Sequence, residues 1–194
     1  YLPNERLIET DLAAAFSTNR AIIRNVLMRL EQEGLVVREA NRGARVRAIS
    51  NEEAVEIIEV RKYLERLNAG RAAQRATEPD KKLLSGIVDR MRNALEREDL
   101  SEFSQLNGLL HQTVQTISGN RTAEKLLDTL LFPIVRLQFR SILLPGRAAE
   151  VLSEYKAVVD AVRANDAEAA MAAMDQHFDG VLSALRRAIA LSVL

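Results

Sequence analysis

Arginines are the side chains with the clearest chemical capacity in the first fifty residues. Arg20 and Arg24 are four positions apart, which places them on the same face of a helix. A guanidinium is a permanently charged, planar fork of N–H donors, so it can bind a phosphate or read guanine O6 and N7. Residues 17–47 hold seven arginines against three glutamates, a local charge of +4. The pattern indicates an anionic partner, although solvated arginines on a helix surface would look the same.

The residues around these arginines predict two successive helices. The first covers about residues 9–16, and its apolar face consists of Leu7, Leu12, Ala13 and Phe16. Asn19 is a good N-cap for the second helix, and Gly34 is suited to end it. The residues that recur at helical spacing in the second helix and must face inward are Ile23, Val26, Leu27 and Leu30. Arg20 and Arg24 then project from the opposite side of its first two turns.

A β-hairpin follows the second helix. The stretches "LVVRE" and "ARVRAI" read as strands, and residues 40–43, with Arg42 among them, supply a tight turn. Helix, turn, helix and hairpin make a winged helix-turn-helix. In that fold the second helix enters a major groove by its N-terminal end, and the hairpin reaches the adjacent backbone or minor groove. The predicted partner is double-stranded DNA.

Residues 50–194 show helices separated by short capping signals, beginning with the capping box Ser50-Asn51-Glu52-Glu53. Six helices are predicted, over about residues 50–75, 77–97, 99–119, 122–143, 148–164 and 166–190. Their short connections favour a compact antiparallel bundle. The predicted fold class is mainly α: an N-terminal winged helix-turn-helix with a small β-hairpin wing at 1–49, then an all-α six-helix antiparallel bundle at 50–194.

Composition excludes several kinds of site and of protein. The chain of 194 residues has no cysteine, which excludes disulfides and thiolate metal sites. No apolar run approaches the roughly 20 residues that a transmembrane helix needs, and there is no signal-peptide pattern. We therefore expect a cytoplasmic protein with no membrane partner. The chain begins at Tyr1, inside a recognisable pattern, so we also expect residues upstream of it.

The first part of the chain resembles the DNA-binding domain of GntR-family transcription regulators. The stretches that carry the resemblance are "ERLIETDLAAAF", "NRAIIRNVLMRLEQEGLV" and "NRGARV". It matches Arg20 and Arg24 to the recognition-helix arginines. It matches Arg6 to an arginine that helps to hold DNA, and Asn19 to a capping serine. Gly43 matches a wing-tip glycine, which would let the backbone approach DNA or would simply serve a turn with positive φ. The family has one more helix before this segment, which we expect upstream.

The helical part resembles the FCD ligand-sensing domain of the FadR-type branch of that family. The stretches that carry this resemblance are "EVRKYLERLNAGRAA", "LNGLLHQTVQTISGN" and "EYKAVVDAVRANDAEAAMAAMDQHF". Together the two resemblances span nearly the whole chain. They imply a transcription regulator, most often a repressor in this family, that is no enzyme and binds an operator as a homodimer. A small effector, expected to be a carboxylate, would bind the helical domain and change the affinity for the operator.

Many FCD domains bind a metal ion through an aspartate, a histidine four residues later and two histidines on the last two helices. The matching residues here are Asn107, His111, Tyr155 and His177, and the chain has no other histidine. Imidazole suits zinc or nickel, but a tight site wants three protein ligands, so this site is eroded. Three interpretations stay open: a weak divalent metal site at His111 and His177, with help from Asn107; hydrogen-bonded core histidines; or direct binding of an organic effector by all four groups.

Two further arginines are candidates for binding an anionic effector. Arg136 and Arg140 are one turn apart on the fourth bundle helix, and a guanidinium that faces a bundle cavity pairs well with a carboxylate. A solvated helix face would show the same spacing. Arg61 and Glu65, also four apart, predict a salt bridge within a helix or a contact between domains.

Two alternatives belong to other functional classes. A helical-bundle metal-binding protein or enzyme of the di-iron type would need repeated Glu-x-x-His motifs, and the chain has none. A structural winged-helix module that contacts protein would not need Arg20, Arg24 and a basic wing. The sequence also lacks G-x-S-x-G, P-loop, Rossmann glycine and H-E-x-x-H motifs, so catalysis is not expected.

Overall fold

A computed structural model gives the fold. It describes residues 1–39 and 43–191, and for Glu39 and residues 131–140 it describes the backbone alone. The elements in chain order are β1 (Arg6–Leu7), α1 (Glu9–Ala15), α2 (Arg20–Gln32), β2 (Val36–Glu39), β3 (Gly43–Val46), α3 (Asn51–Arg75), α4 (Glu78–Glu96), α5 (Leu100–Ser118), α6 (Arg121–Ile142), α7 (Arg147–Arg163) and α8 (Ala167–Ala190). The predicted fold class, mainly α with a winged helix and a helical bundle, is confirmed.

The predicted two-stranded wing is a three-stranded antiparallel sheet of order β1-β3-β2. β1 pairs with β3 so that Arg6 lies opposite Arg45. On the other side of β3, Val37 also lies opposite Arg45. The sequence does not predict β1, because two residues are too few to show the alternation of a strand. This strand fixes Arg6 on the sheet beside the hairpin.

A small apolar core holds α1 and α2 against this sheet. It consists of Leu7, Leu12, Ala13, Ile23, Leu27, Val36 and Ala44. The prediction that Val26 and Phe16 face the core is wrong, because they are 47% and 64% exposed. Ile23 and Leu27 fill the side of α2 that meets the core, and Val26 is turned about 100° from Leu27 around the helix. Phe16 follows the last residue of α1. Val26 and Phe16 both line an open apolar groove of about 550 Å³.

The six predicted bundle helices are found as α3 to α8, with ends within one or two residues of the prediction. Their starts are capped: Ser50 accepts a hydrogen bond from the Glu53 N–H, and Thr77 and Asp80 form a reciprocal capping box. α3 contacts α5, α6, α7 and α8, so it passes through the middle of the bundle. In the described ranges, no helix combines the length and the apolar character that crossing a bilayer requires.

The central position of α3 explains why it buries polar side chains. Arg61, Glu65 and Asn68 are 2%, 0% and 0% exposed. α3 keeps an exposed outer face, where Tyr63 is 70% exposed, and the charged residues on its inner face are buried and need partners within the protein. α3 therefore places an ion pair inside the bundle, next to the predicted site on α5.

Candidate functional site

Arg20 and Arg24 lie at the exposed start of α2. Asn19 caps this helix as predicted, and its side-chain oxygen accepts a hydrogen bond from the backbone N–H of Ile22 at 3.0 Å. The Arg20 and Arg24 side chains are 62% and 53% exposed. Both contact the carboxylate of Glu9 in α1. The two predicted recognition arginines thus lie on one surface and share Glu9 as a partner. Sequence spacing alone does not predict the contact with Glu9.

The contacts to Glu9 differ between the two arginines. Arg24 donates from Nε to Oε1 and from Nη2 to Oε2, at 3.0 Å each, so it holds the carboxylate with two bonds. Arg20 adds one bond, from Nη2 to Oε2 at 3.3 Å. The hydrogen bond from Arg24 is the main reason why the pKa of Glu9 lies below its usual value. Glu9 is therefore ionised at neutral pH, and the three side chains together carry a charge of +1.

The wing supplies the remaining predicted DNA contacts. Arg6 lies in β1 opposite Arg45, and Arg45 Nη1 donates to the backbone oxygen of Asn4 at 3.4 Å. Gly43 begins β3 with a φ of 86°, which L side chains rarely adopt, so its own backbone conformation is enough to require a glycine there. Arg42 lies outside the described residues. The DNA-binding roles of these residues stay predictions.

In the bundle, the structure brings together all four residues that match the metal-binding pattern. Asn107 and His111 lie on α5, Tyr155 on α7 and His177 on α8. The Tyr155 hydroxyl donates to Asn107 Oδ1 at 2.9 Å and lies 2.7 Å from His111 Nε2. The ring centroids of Tyr155 and His177 are 4.5 Å apart, and those of His111 and His177 are 5.5 Å apart. The tyrosine thus joins the other three.

A second layer supports His177. Its Nδ1 lies 2.7 Å from Glu154 Oε2, and Arg147 donates to both oxygens of Glu154, at 2.6 and 2.9 Å. Burial lowers the pKa of His177 to about 4 despite the Glu154 bond, so the imidazole is neutral at pH 7. Arg147 is 1% exposed, and a Cβ at Gly180 of α8 would lie 2.8 Å from its Nη1. α8 therefore needs a glycine where this ion pair approaches it.

Arg61 and Glu65 form a buried ion pair, which is the first of the two alternatives predicted for them. Arg61 Nη2 and Gln115 Nε2 both donate to Glu65 Oε1 at 3.1 Å. His111 Nδ1 lies 3.2 Å from the same oxygen. Burial raises the pKa of Glu65, but His111 and Arg61 beside it outweigh burial and hold that pKa at about 2. Among the described residues, Arg61 Nε and Nη1 have no hydrogen-bond partner.

Arg61 also lines an open pocket of about 450 Å³ between α3, α5 and α6. The pocket is lined by Arg61, Gln105, Asn107, Gly108, Leu109, His111, Gln112, Gln115, Leu127 and Asp128. Arg61 and His111 are buried, whereas Gln105, Gly108 and Gln112 are exposed, so the pocket opens to solvent along α5 and has Arg61 in its wall. Arg136 and Arg140, predicted to bind an effector, have side chains outside the described part of α6. Sequence spacing shows that Arg61 and Glu65 can pair, but not that they face a pocket.

The four residues do not fit a metal ion. The Tyr155 hydroxyl engages both Asn107 Oδ1 and His111 Nε2, two atoms that a metal would have to bind. Burial raises the pKa of Tyr155 well above its usual value, so the neutral phenol is a poor ligand. Among the described residues, no group of three or more Asp, Glu or His side chains is arranged to hold a metal ion. The bundle metalloprotein alternative and the weak zinc or nickel site therefore have no support in this geometry.

Comparison with known proteins finds two family matches in the chain. Residues 1–46 match the family described as bacterial regulatory proteins, gntR family, and residues 56–180 match the FCD domain. The HTH-type transcriptional repressor RspR of Escherichia coli K12 is 25% identical over 185 residues, which cover 95% of this chain and 81% of RspR. The gluconate operon transcriptional repressor of Bacillus subtilis 168 is 26% identical over 180 residues, covering 90% and 74%.

The fold also matches a solved structure. E. coli McbR/YncC superposes with a TM-score of 0.81 at 19% identity, over 95% of this chain and 88% of McbR/YncC. At that identity the likeness speaks for the fold alone. The family matches cover both regions of the chain, and the one to the FCD domain by itself spans more than half of it. The chain therefore belongs to the GntR family of bacterial regulatory proteins, with an FCD domain behind its winged helix.

Proposed function

We propose that the protein is a transcriptional repressor that binds its operator through α2 and the wing, and releases it when a small carboxylate binds the bundle at Arg61. In this proposal residues 1–49 bind DNA, and residues 50–194 bind the effector and form a homodimer. The observation that carries it is Arg61, a buried guanidinium that lines an open pocket and whose Nε and Nη1 have no hydrogen-bond partner among the described residues.

The chemistry of the pocket favours an anion as the effector. A buried donor that lacks a partner costs about 1–3 kcal/mol, and a carboxylate that accepts from Arg61 Nε or Nη1 would remove that cost. The volume of about 450 Å³ falls in the range of small-molecule sites. Asp128 also lines the pocket, but it is exposed, so water screens its charge. No metal ion is needed in this arrangement.

Contacts along α3 support a link between the pocket and the wing. Arg47 follows β3, donates to Glu53 in the first turn of α3 and also donates to the Gly34 backbone oxygen at 3.4 Å. Glu53 and Arg61 are eight residues apart on one helix, about 12 Å along its axis. An effector that changes the position of Arg61 would therefore act on the same helix that the wing contacts. Ligand control of DNA binding would then require the effector to bind the operator-free state more tightly than the operator-bound state.

The names of the relatives support repression. RspR and the gluconate operon regulator are both named transcriptional repressors.

The small size of the DNA-binding domain supports a homodimer. One recognition helix contacts few base pairs, so specificity requires two half-sites. Sedimentation of the full-length protein should show a dimer at micromolar concentration, and a monomer would contradict this part of the proposal.

The DNA-binding part is tested with duplexes selected from a random-sequence library by the full-length protein. Arg20→Ala and Arg24→Ala should each weaken binding to the selected duplex by roughly tenfold to hundredfold if they read bases. The matched control is Arg29→Ala, which removes an arginine of the same helix that is 81% exposed and paired with Glu33. Equal affinity of all three variants for the selected duplex would remove the recognition helix from the proposal.

The effector-binding part is tested by thermal unfolding with acetate, malonate and citrate, each beside its neutral amide. At least one carboxylate should raise the melting temperature and weaken operator binding, whereas the amides should do neither. Arg61→Lys keeps the charge but loses the fork, so it should abolish the shift. Arg66→Lys, at a half-exposed position on the same helix, is the control. If the shift survives Arg61→Lys, the effector does not bind at Arg61.

A further inference from the structure

Glu9 binds both recognition arginines, and the way it binds Arg24 limits what that side chain can still contact. Arg24 uses Nε and Nη2, which form the side-on edge of the guanidinium. The donors of a guanidinium lie in one plane in a fixed fork. With the side-on edge occupied, the end-on edge still offers two parallel donors, Nη1 and the second hydrogen of Nη2.

That end-on edge is complementary to guanine. The O6 and N7 atoms of guanine form a pair of acceptors in the major groove, and a guanidinium can bind both at once. A free arginine side chain loses rotamer entropy when it is fixed. Because two bonds to Glu9 already restrain Arg24, less of that entropy remains to be lost on DNA binding.

The same carboxylate disfavours phosphate as the ligand of Arg24. An ionised carboxylate can only accept hydrogen bonds, so close to a phosphate it adds repulsion. The lowered pKa of Glu9 keeps it ionised at neutral pH. Arg20, Arg24 and Glu9 together present a charge of +1, where the two arginines alone would present +2.

We propose that Glu9 is a specificity-determining residue, which positions Arg24 so that its end-on edge reads a guanine in the major groove and which weakens sequence-independent binding to phosphates. The inference rests on the proposed contact between α2 and DNA, and it assigns a base, not the backbone, to Arg24. Glu9 acts through Arg24 and is therefore a positioning residue.

α1 offers a matched control for this role. Asp11 lies two residues beyond Glu9 on the same helix, and the contact described for its carboxylate is with the Thr10 hydroxyl, at 3.1 Å. Glu9→Gln and Asp11→Asn each remove one negative charge from α1. A difference between these two variants therefore reports the contact with the arginines and not the overall charge.

The experiment uses the full-length protein and a duplex selected from a random-sequence library. Each guanine of a half-site is replaced in turn by 7-deazaguanine, which lacks the N7 acceptor. One replacement should weaken binding of the unmodified protein at least tenfold, and Arg24→Ala should abolish that penalty. Glu9→Gln should reduce the penalty to less than threefold and should raise affinity for random duplex with a steeper salt dependence. Asp11→Asn should keep the full penalty.

Two results would overturn the inference, and they are distinguishable. If the unmodified protein selects no sequence, the proposed DNA contact fails and this inference fails with it. If it selects a sequence but Glu9→Gln shows the same 7-deazaguanine penalty as Asp11→Asn, the DNA contact stands and the role of Glu9 is wrong. Unchanged thermal unfolding of both variants would confirm that the comparison is between folded proteins.

Discussion

The winged-helix region and the bundle treat their arginines in opposite ways. Arg20 and Arg24 are more than half exposed and share a single carboxylate. Arg61 and Arg147 are almost fully buried, and they form ion pairs with Glu65 and Glu154. An exposed pair contributes little to stability, because water and salt compete for both charges. A buried pair contributes differently, because either charge without the other is strongly unfavourable in the interior.

This difference indicates how each region can respond to a partner. In the winged-helix region, the arginines can keep Glu9 and still take a new acceptor, because their outer edges face solvent. In the bundle, Arg61 Nε and Nη1 have no partner among the described side chains, so a new acceptor can complete the pair with Glu65 without breaking it. The first arrangement suits a large, charged surface such as DNA, and the second suits a single small anion.

The largest expected effect is the difference in stability between two variants that each lose one carboxylate, one in the bundle and one in the winged-helix region. Glu65→Gln leaves the Arg61 charge buried without its counterion, and it should lower the free energy of unfolding by about 3–5 kcal/mol. Glu9→Gln should leave that free energy unchanged, because both arginines remain solvated. Denaturant titration of the two variants measures the difference. Similar losses in both would show that burial does not distinguish the two regions.

The two regions also show which features of the structure can be predicted from the sequence. Capping signals at Ser50, Thr77 and Asp99 are local, so the six bundle helices are predicted to within two residues. Periodicity does not give the width of a buried face, so Val26 is assigned to the core and is found exposed. Spacing likewise pairs Arg61 with Glu65 but cannot tell whether the pair faces solvent or a pocket.

The bundle site shows a second limit of sequence reading. The family resemblance predicts that Asn107, His111, Tyr155 and His177 meet, and they do. It does not predict Arg147, which lies next to Gly180 in three dimensions but 33 positions away in the chain. Contacts of this kind depend on how α7 and α8 pack, and no pattern within either helix reports them.

A fall in pH should destabilise the bundle through His177. Its pKa is about 4 in the folded protein against 6.5 for a free imidazole, because it is buried. The unfolded chain therefore binds more protons between these values, so stability is complete above pH 6.5 and decreases as the pH falls towards 4. The loss from this residue should reach about 3 kcal/mol, at about 1.4 kcal/mol per pKa unit.

Thermal unfolding between pH 7 and pH 4 measures this loss, with His177→Gln as the comparison. Glutamine can still bond to Glu154 but has no proton to gain, so the variant should lack the part of the slope between pH 6.5 and 4. Groups that face His177 and also act are Glu154, Arg147 and His111. The lowered pKa of Glu154 adds a loss of the same sign as the pH falls further. An unchanged slope in His177→Gln would contradict the assignment.

Restoring the metal-binding pattern should have the next largest effect. Asn107→Asp and Tyr155→His together add a negative charge and an imidazole and remove the hydroxyl that occupies Asn107 and His111. Zinc affinity should rise by about a hundredfold, which corresponds to about 2.7 kcal/mol. Competition with a chromophoric chelator measures it. Stoichiometric zinc or nickel in the unmodified protein after dialysis would refute the erosion of the site.

The smallest effect tests whether the bundle pocket admits a ligand at all. Gly108 lies in α5 at the exposed side of the pocket, and a Cβ there would meet no atom of the described residues within 4 Å. Gly86 is equally open, but it lies in α4 and does not line the pocket. Leucine at either position should stabilise its helix by about 1 kcal/mol, because glycine is a poor helix former. Gly108→Leu should also narrow the way to Arg61 and weaken binding of whichever carboxylate shifts the melting temperature of the unmodified protein. Gly86→Leu should leave that shift intact, so equal binding by the two variants would place the effector elsewhere.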